Sequence, residues 1–367
     1  MRLWRWWSGA VGVWMALGWG TPLLAQSTSM GPLGTHEAAW GGTELQVGEG
    51  RQDEDPFTLT VSARIQVRHT QTDPGEGERT GSTRIRRGRL AASGEAYQAF
   101  DYLLQLEVGG AEARLIDAFV RYRRAPALTL WLGQGKAHFG RQQLASSRDL
   151  QFVDRTIVDD RFSAGRQQGV ALTGRLDGDL LEYGVGVYDG NGINQPVNQN
   201  NRFMSVARLV LTPLGSYGPV ESALDRPETP RLAVGASGFR NAVGERDAVT
   251  RLLRANGEVA FKWGGANVVG EAYREWAKRP TGRRDITDGW YVQGGYLLPG
   301  GTHELVVRYA EIQSGDVPEE ERVETGVGYS HYLHGHRVKV QGDLRNVRQG
   351  ATGVDHRELR VQFQLTL

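Results

Sequence analysis

From Phe57 to Leu367 the chain repeats one pattern: short segments in which polar and apolar residues alternate, separated by turn residues. The last segment shows it best. Leu359, Val361, Phe363, Leu365 and Leu367 fall on one face, and Glu358, Arg360, Gln362, Gln364 and Thr366 on the other. A period of two places successive side chains on opposite sides of an extended strand. The preceding segment sets Val338, Val340 and Leu344 against Arg337, Lys339, Gln341, Asp343 and Arg345. Further back, Ala255, Val259, Phe261 and Trp263 oppose Arg254, Asn256, Glu258 and Lys262. The polar faces are unusually charged, and almost no segment is apolar on both sides. A soluble sandwich buries its apolar faces against a second sheet. A membrane barrel turns them to lipid, turns the charged faces to a wet lumen, and satisfies every backbone group by closure. The expected fold is therefore all-β, a transmembrane antiparallel β-barrel, with a soluble exported β-protein as the rival.

Sixteen segments can be marked, near 57–69, 83–94, 99–109, 114–124, 127–135, 166–177, 180–189, 202–212, 231–239, 251–263, 266–276, 286–298, 302–313, 321–333, 336–347 and 355–367. An even number suits a bacterial single-chain barrel, as does an alternation of long outer loops with short periplasmic turns. With the N-terminus in the periplasm, the outer loops include 70–82, 136–165, 190–201, 240–250, 277–285, 314–320 and 348–354. The inner turns include Arg124-Ala125-Pro126, Asp177-Gly178-Asp179, Gly264-Gly265 and Pro299-Gly300-Gly301. Two connections break the alternation: the short outer one at 110–113 and the long, Pro-rich inner one at 213–230. Trp131, Tyr183, Tyr188, Trp263, Trp276, Trp290, Tyr291, Tyr309 and Tyr332 lie near strand ends and suit an interfacial aromatic girdle, with ordinary strand packing as the other reading.

The beginning of the chain reads as an export signal. Arg2 and Arg5 form a short positive region, Trp6 to Leu24 is almost wholly apolar, and Leu23-Leu24-Ala25 offers a small residue for cleavage. Residues 1–25 are thus expected to be a signal peptide, 26–56 (rich in Gly, Ser, Thr and acids) a flexible lead-in, and 57–367 the barrel. No later stretch approaches the roughly 18 apolar residues of a membrane helix. The expected location is the bacterial outer membrane, with lipid as a partner. Lys plus Arg number 43 and Asp plus Glu 42, so no global basic field invites nucleic acid. Cysteine is absent, which removes disulfides and thiolate metal sites. His331, His334 and His336 sit close together at a predicted turn without an acid in metal-site spacing, so a solvated turn is expected there rather than a metal. No Ser-His-Asp, Walker or paired-carboxylate signature stands on a plausible scaffold. The chain is accordingly not expected to be an enzyme, and no cofactor is expected.

The connection after the fifth strand, Gly135 to Val170, is too long and too well furnished for a simple loop. Phe139, Leu144, Leu150, Phe152, Val153, Ile157 and Phe162 are interleaved with Arg141, Arg148, Arg155, Arg161 and Arg166 and with Asp149, Asp154, Asp159 and Asp160. Apolar anchors let such a loop fold inward against the barrel wall and narrow the pore. Its arginines would then attract anions at the constriction, as charged rings do in pores. The alternative is an external loop whose arginines pair with the neighbouring acids.

Here the sequence resembles a known family. Ser146-Ser147-Arg148-Asp149, Phe152-Val153-Asp154-Arg155-Thr156 and Arg161-Phe162-Ser163-Ala164-Gly165-Arg166-Gln167-Gln168-Gly169 are similar to the constriction segment of the phosphate-selective porins O and P. Arg84-Ile85-Arg86-Arg87-Gly88-Arg89-Leu90 resembles that family's strand-two pattern, Asp117-Ala118-Phe119-Val120 its strand four, and Tyr188-Asp189-Gly190 the start of its Gly- and Asn-containing loop. The resemblance implies a sixteen-stranded barrel, a homotrimer, and passage of small anions, phosphate among them. Ala164 stands where the family usually has Pro, and the chain ends in Leu367 rather than an aromatic residue.

The candidate anion-binding and constriction residues are Arg148, Arg155, Arg161, Arg166, Arg84, Arg86 and Arg87. Arg84 and Arg86 share one face of strand two, and Arg87 and Arg89 the other. An arginine facing lipid at mid-membrane costs about 2–4 kcal/mol. One pair must therefore lie at a rim or a subunit contact, or a bulge must reset the face. The functional expectation is passive diffusion of small hydrophilic anions. The alternatives are a weakly selective pore, since the loop's acids offset its arginines, and a structural or adhesive surface barrel with no open pore.

Overall fold

The computed structural model describes Thr43–Glu44 and residues 57–315, 317–350 and 353–367. The expected signal peptide at 1–25 and, apart from Thr43–Glu44, the lead-in at 26–56 lie outside the described residues.

The barrel has sixteen strands: β1 Thr60–Asp73, β2 Thr80–Ala96, β3 Phe100–Glu107, β4 Arg114–Ala125, β5 Leu128–Lys136, β6 Arg166–Leu176, β7 Leu181–Tyr188 and β8 Met204–Leu211, followed by β9 Arg231–Val243, β10 Thr250–Trp263, β11 Ala266–Lys278, β12 Arg284–Leu297, β13 His303–Ser314, β14 Arg322–His334, β15 Val338–Gln349 and β16 Asp355–Thr366. Each pairs antiparallel with the next, and β16 closes on β1 with Phe363 opposite Val67 and Leu365 opposite Ile65. Thr43–Glu44 adds a short pairing to the start of β1, at Thr60 and Val61. The long and short connections alternate except at the two places the sequence reading named, the short outer one at 108–113 and the long inner one at 212–230. Gly264-Gly265 joins β10 to β11 in two residues. Gly264 has φ 56°, and a Cβ on Gly265 would lie 2.5 Å from the Leu297 carbonyl oxygen.

The alternation sorts as a membrane barrel demands. Leu305, Val307, Val327, Leu344 and Leu359 are exposed on the outer wall, while Glu304, Arg308, Glu324, Asp343 and Arg360 between them are buried on the inner side. Trp263, Trp276 and Trp290 also face outward, whereas Trp131, Tyr188, Tyr291 and Tyr332 are buried.

A β-bulge settles the question posed by β2. Gln66 pairs with Arg87 and Val67 with Ile85, so Arg86 is the extra residue. Cross-strand partners share a face. Arg84 therefore lies inward beside Arg68, Ile85 and Leu90 point outward, and Arg86, Arg87 and Arg89 all serve the lumen. No arginine of this run has to face lipid.

The connection from β5 to β6 folds inward. It carries two short helices, α1 Arg141–Leu144 and α2 Ile157–Phe162. All seven of its apolar anchors are buried. Phe162 stacks on Tyr273 at 5.5 Å between ring centres, and Phe139 meets Phe239 edge-on at 4.7 Å. The wall has made room, because a Cβ on Gly289 would come within 2.4 Å of the Phe162 ring. Backbone groups buried in this way need partners, and the wall supplies them as carboxylates. Glu271 accepts the amides of Arg141 and Gln142 at 2.6 and 2.7 Å, Asp343 that of Val153 at 3.0 Å, and Glu324 that of Ile157 at 2.9 Å. Carbonyls are met by donors from the same wall: Lys339 reaches Leu150 O at 2.8 Å, Arg308 reaches Asp154 O at 3.0 Å, and Arg254 reaches Phe162 O at 2.8 Å.

The long inner connection, 212–230, also bends inward. Its Glu221 accepts the Gln151 amide at 2.9 Å and the Gln142 side chain at 3.0 Å, and Arg141 donates to Tyr217 O at 3.4 Å. Loop and turn, entering from opposite ends, thus meet inside the barrel.

Two outcomes test this arrangement. Val307→Arg, at the centre of an outward face, should lower folding stability in lipid vesicles by about 2–4 kcal/mol in urea titrations; an unchanged titration would contradict a lipid-facing Val307. The double variant Glu271→Leu with Glu324→Leu removes, among other contacts, the three charge-assisted bonds to the Arg141, Gln142 and Ile157 amides, each of about 1.5–3 kcal/mol. It should leave the barrel folded and open the 137–165 segment to limited proteolysis, and continued resistance would show that the apolar anchors alone hold the loop.

Candidate functional site

The loop docks on β10 to β16 and reaches β1 and β2 through Arg68, Arg86 and Arg87, and an uncovered stretch of lumen remains beside β2, β3 and β4. A cavity of about 910 Å3 lies there. Seven guanidinium groups line it, from Arg84, Arg86, Arg87, Arg89, Arg114, Arg155 and Arg166, against one carboxylate, Glu107.

The elements that place these groups differ. Arg84 to Arg89 come from β2 by way of its bulge. Arg114 opens β4, Arg166 opens β6, and Arg155 stands on the loop just ahead of α2. Arg155 is braced by loop carbonyls, donating to Gln142 O at 3.0 Å and Ala145 O at 2.6 Å, with Asp159 at 3.6 Å. Arg166 makes a bidentate pair with Asp117 at 2.7 and 2.9 Å, and Arg89 binds Glu107 at 2.8 Å. Among the described residues, no hydrogen bond or ion pair engages the side chain of Arg84 or Arg114.

The tightest cluster surrounds Asp154 on the loop. Arg68 of β1 donates to one of its oxygens, Arg86 and Arg87 approach the other at 3.3 Å each, and Arg360 of β16 stands at 3.8 Å. Arg360 is held mainly by Asp343 at 2.7 Å, and Arg87 also donates to Gln66 at 2.8 Å. Burial alone would raise the Asp154 carboxyl. The Arg68 hydrogen bond and charge, joined by Arg87 and Arg86, outweigh it and hold the group far below the usual carboxylate range. Asp159 is the opposite case. Burial pushes it up to about 7, with Glu271 and Asp160 adding to the effect and Arg155 and Lys136 opposing it.

Of the seven arginines singled out from sequence, the fold brings Arg84, Arg86, Arg87, Arg155 and Arg166 to this cavity. Arg148 and Arg161 lie elsewhere. Arg148 is buried and pairs with its neighbour Asp149 at 2.7 Å, and Arg161 bridges Glu275 and Glu320 at 2.9 Å each. The sequence-based candidates omitted Arg68, Arg89, Arg114, Arg360 and Asp154. Arg89 was part of the quoted β2 run, and Arg68 alternates with Ile65 and Val67 on β1. Those signals were present, but their convergence depends on strand pairing that no single segment encodes.

Residues 58–224 match the family described as phosphate-selective porin O and P. An uncharacterized protein of Aquifex aeolicus (strain VF5) is 24% identical over 264 residues, covering 63% of this chain and 63% of its own length. One from Caulobacter vibrioides is 26% identical over 268 residues, covering 67% of this chain and 54% of its own. The chain thus spans less than two thirds of either relative. Among solved structures, an anion-selective porin from Comamonas acidovorans superposes with a TM-score of 0.64 at 13% identity, over 85% of this chain and 100% of that one. Over residues 58–224 the chain is thus similar to the phosphate-selective porins O and P, and its sixteen-stranded closed barrel has the fold of solved bacterial outer-membrane porins.

Proposed function

We propose that the protein is a passive pore through which small hydrophilic anions, phosphate and other oxyanions among them, diffuse across the outer membrane. The observation that carries this reading is the lining of the uncovered lumen, seven guanidinium groups to one carboxylate. Planar guanidinium donors match two oxygens of an oxyanion at once, and the groups are charged at any physiological pH. A wet cavity walled by one sign of charge raises the local concentration of the opposite sign. The reading includes an export signal at 1–25 and assembly as a homotrimer, as the family resemblance implies.

A weakly selective pore is the second reading. What favours it is that Asp117, Asp154 and Asp159 stand directly behind Arg166, Arg86, Arg87 and Arg155 and offset much of their charge.

The test is the chloride conductance of the purified protein in a planar bilayer, titrated with phosphate. Phosphate should depress the chloride current in the wild type. Arg86→Ala, which removes a donor facing the cavity, should raise the half-blocking phosphate concentration roughly tenfold, in line with a charge-assisted bond of about 1.5–3 kcal/mol. Arg161→Ala, away from the cavity, should leave it unchanged. A wild-type current indifferent to phosphate would favour the weakly selective pore.

A further inference from the structure

The arginine cluster of the cavity already holds an anion, and that anion is part of the chain. The Asp154 carboxylate offers one oxygen to Arg68 and the other to Arg86 and Arg87, with Arg360 at 3.8 Å. Two oxygens of one negative charge are thus set among four guanidinium groups, which is the environment an oxyanion would take. The seat is reachable from the cavity, because the Arg86 side chain is 34% exposed and that of Asp154 20%. It is also held in place independently of the carboxylate. Arg308 binds the Asp154 carbonyl at 3.0 Å, and Asp343 binds the preceding amide at 3.0 Å.

We propose that Asp154 is a tethered competitor for the permeating anion, occupying the guanidinium seat of Arg68, Arg86 and Arg87 so that a passing oxyanion binds there briefly instead of being trapped. The inference rests on the anion-pore reading and adds to it a residue that sets residence time.

The physical argument is one of exchange. Bare guanidinium groups facing a cavity would bind a dianionic phosphate strongly, since charge-assisted bonds add and local screening is weak. Tight binding at a single seat slows release, and conduction needs binding weak enough to leave. A carboxylate fixed to the loop lowers the net charge of the seat by one. It also returns to the arginines as soon as the passing anion departs, so these groups never stand bare. Phosphate, with more oxygens and more charge than a carboxylate, can still displace it. Chloride, a single-charged sphere, competes less well. The same residue would therefore set both the affinity for oxyanions and their throughput.

The test compares wild type, Asp154→Asn and Asp154→Glu in planar bilayers, with inorganic phosphate as the probe. Two quantities are read: the half-blocking phosphate concentration for chloride current, and the single-channel current carried by phosphate alone. Asp154→Asn keeps the size and the backbone bonds and removes the charge. It should lower the half-blocking concentration by about tenfold or more and reduce the phosphate-only current. Asp154→Glu, which restores the carboxylate, should bring both back toward wild type. Folding is checked by heat-modifiable gel mobility, and loop position by protease resistance of 137–165. A folded Asp154→Asn pore whose half-block is unchanged, or weaker, would overturn the proposal, because the carboxylate would then be a spectator or an organiser of the arginines. A wild type with neither anion preference nor phosphate block would remove the anion-pore reading, and this inference with it. Phosphate block in the wild type with no change in the variant overturns the inference alone.

Discussion

The structure depends on one interaction: wall carboxylates accepting the backbone amides of a loop that has folded into the barrel. A segment of about thirty residues cannot enter a lumen and leave its N–H and C=O groups without partners, because each buried orphan costs on the order of 1–3 kcal/mol. Glu271, Glu324, Asp343 and Glu221 answer the amides, and Lys339, Gln341, Arg308 and Arg254 answer the carbonyls. The apolar anchors supply the burial, and the polar groups fix the register in which it happens. Together they decide which half of the lumen is filled and which remains.

That choice explains how a chain with 43 basic and 42 acidic side chains can gather seven arginines against one carboxylate along a single cavity. Many of the inward acids are spent on the loop. Those of β11, β14 and β15 face backbone amides or buried cations rather than water. The arginines of β2, with Arg114, Arg155 and Arg166, lie on the side the loop leaves uncovered. This is segregation of charge, with no overall excess. The β2 bulge contributes directly. Without it one of the two arginine pairs would point to lipid, and the cavity would lose about half of that strand's charge.

The strands were legible because a period of two is a local property. Leu359 to Leu367 declare their face without any knowledge of a partner, and the parity of long and short connections fixes the count. The loop's inward course was legible for a similar reason, since seven large apolar residues in one connection must be buried somewhere. The bulge at Arg86 was not. Alternation showed only that Arg84 and Arg87 were out of phase, and either a rim or a bulge would answer. The partners of the loop were hidden for a different reason. Glu271 and Glu324 look like any lumen acids in their strands, and only the docked loop gives them amides to accept. Tyr291 and Tyr332 resembled girdle residues by position, yet they turn inward because Glu271 and Glu304 offer their hydroxyls acceptors in the lumen. The inward bend of 212–230 left no trace beyond its length, since contacts such as that of Glu221 with Gln151 join segments some seventy residues apart.

The claim on which all of this converges is that the uncovered lumen acts as a field of fixed positive charge. The most direct measurement is the zero-current potential of the wild-type protein across a planar bilayer under a potassium chloride gradient. The account requires a potential on the chloride side that shrinks as ionic strength rises, because fixed charges are screened within about 10 Å at 0.1 M salt. A potential near zero at low salt, or one on the potassium side, would contradict it.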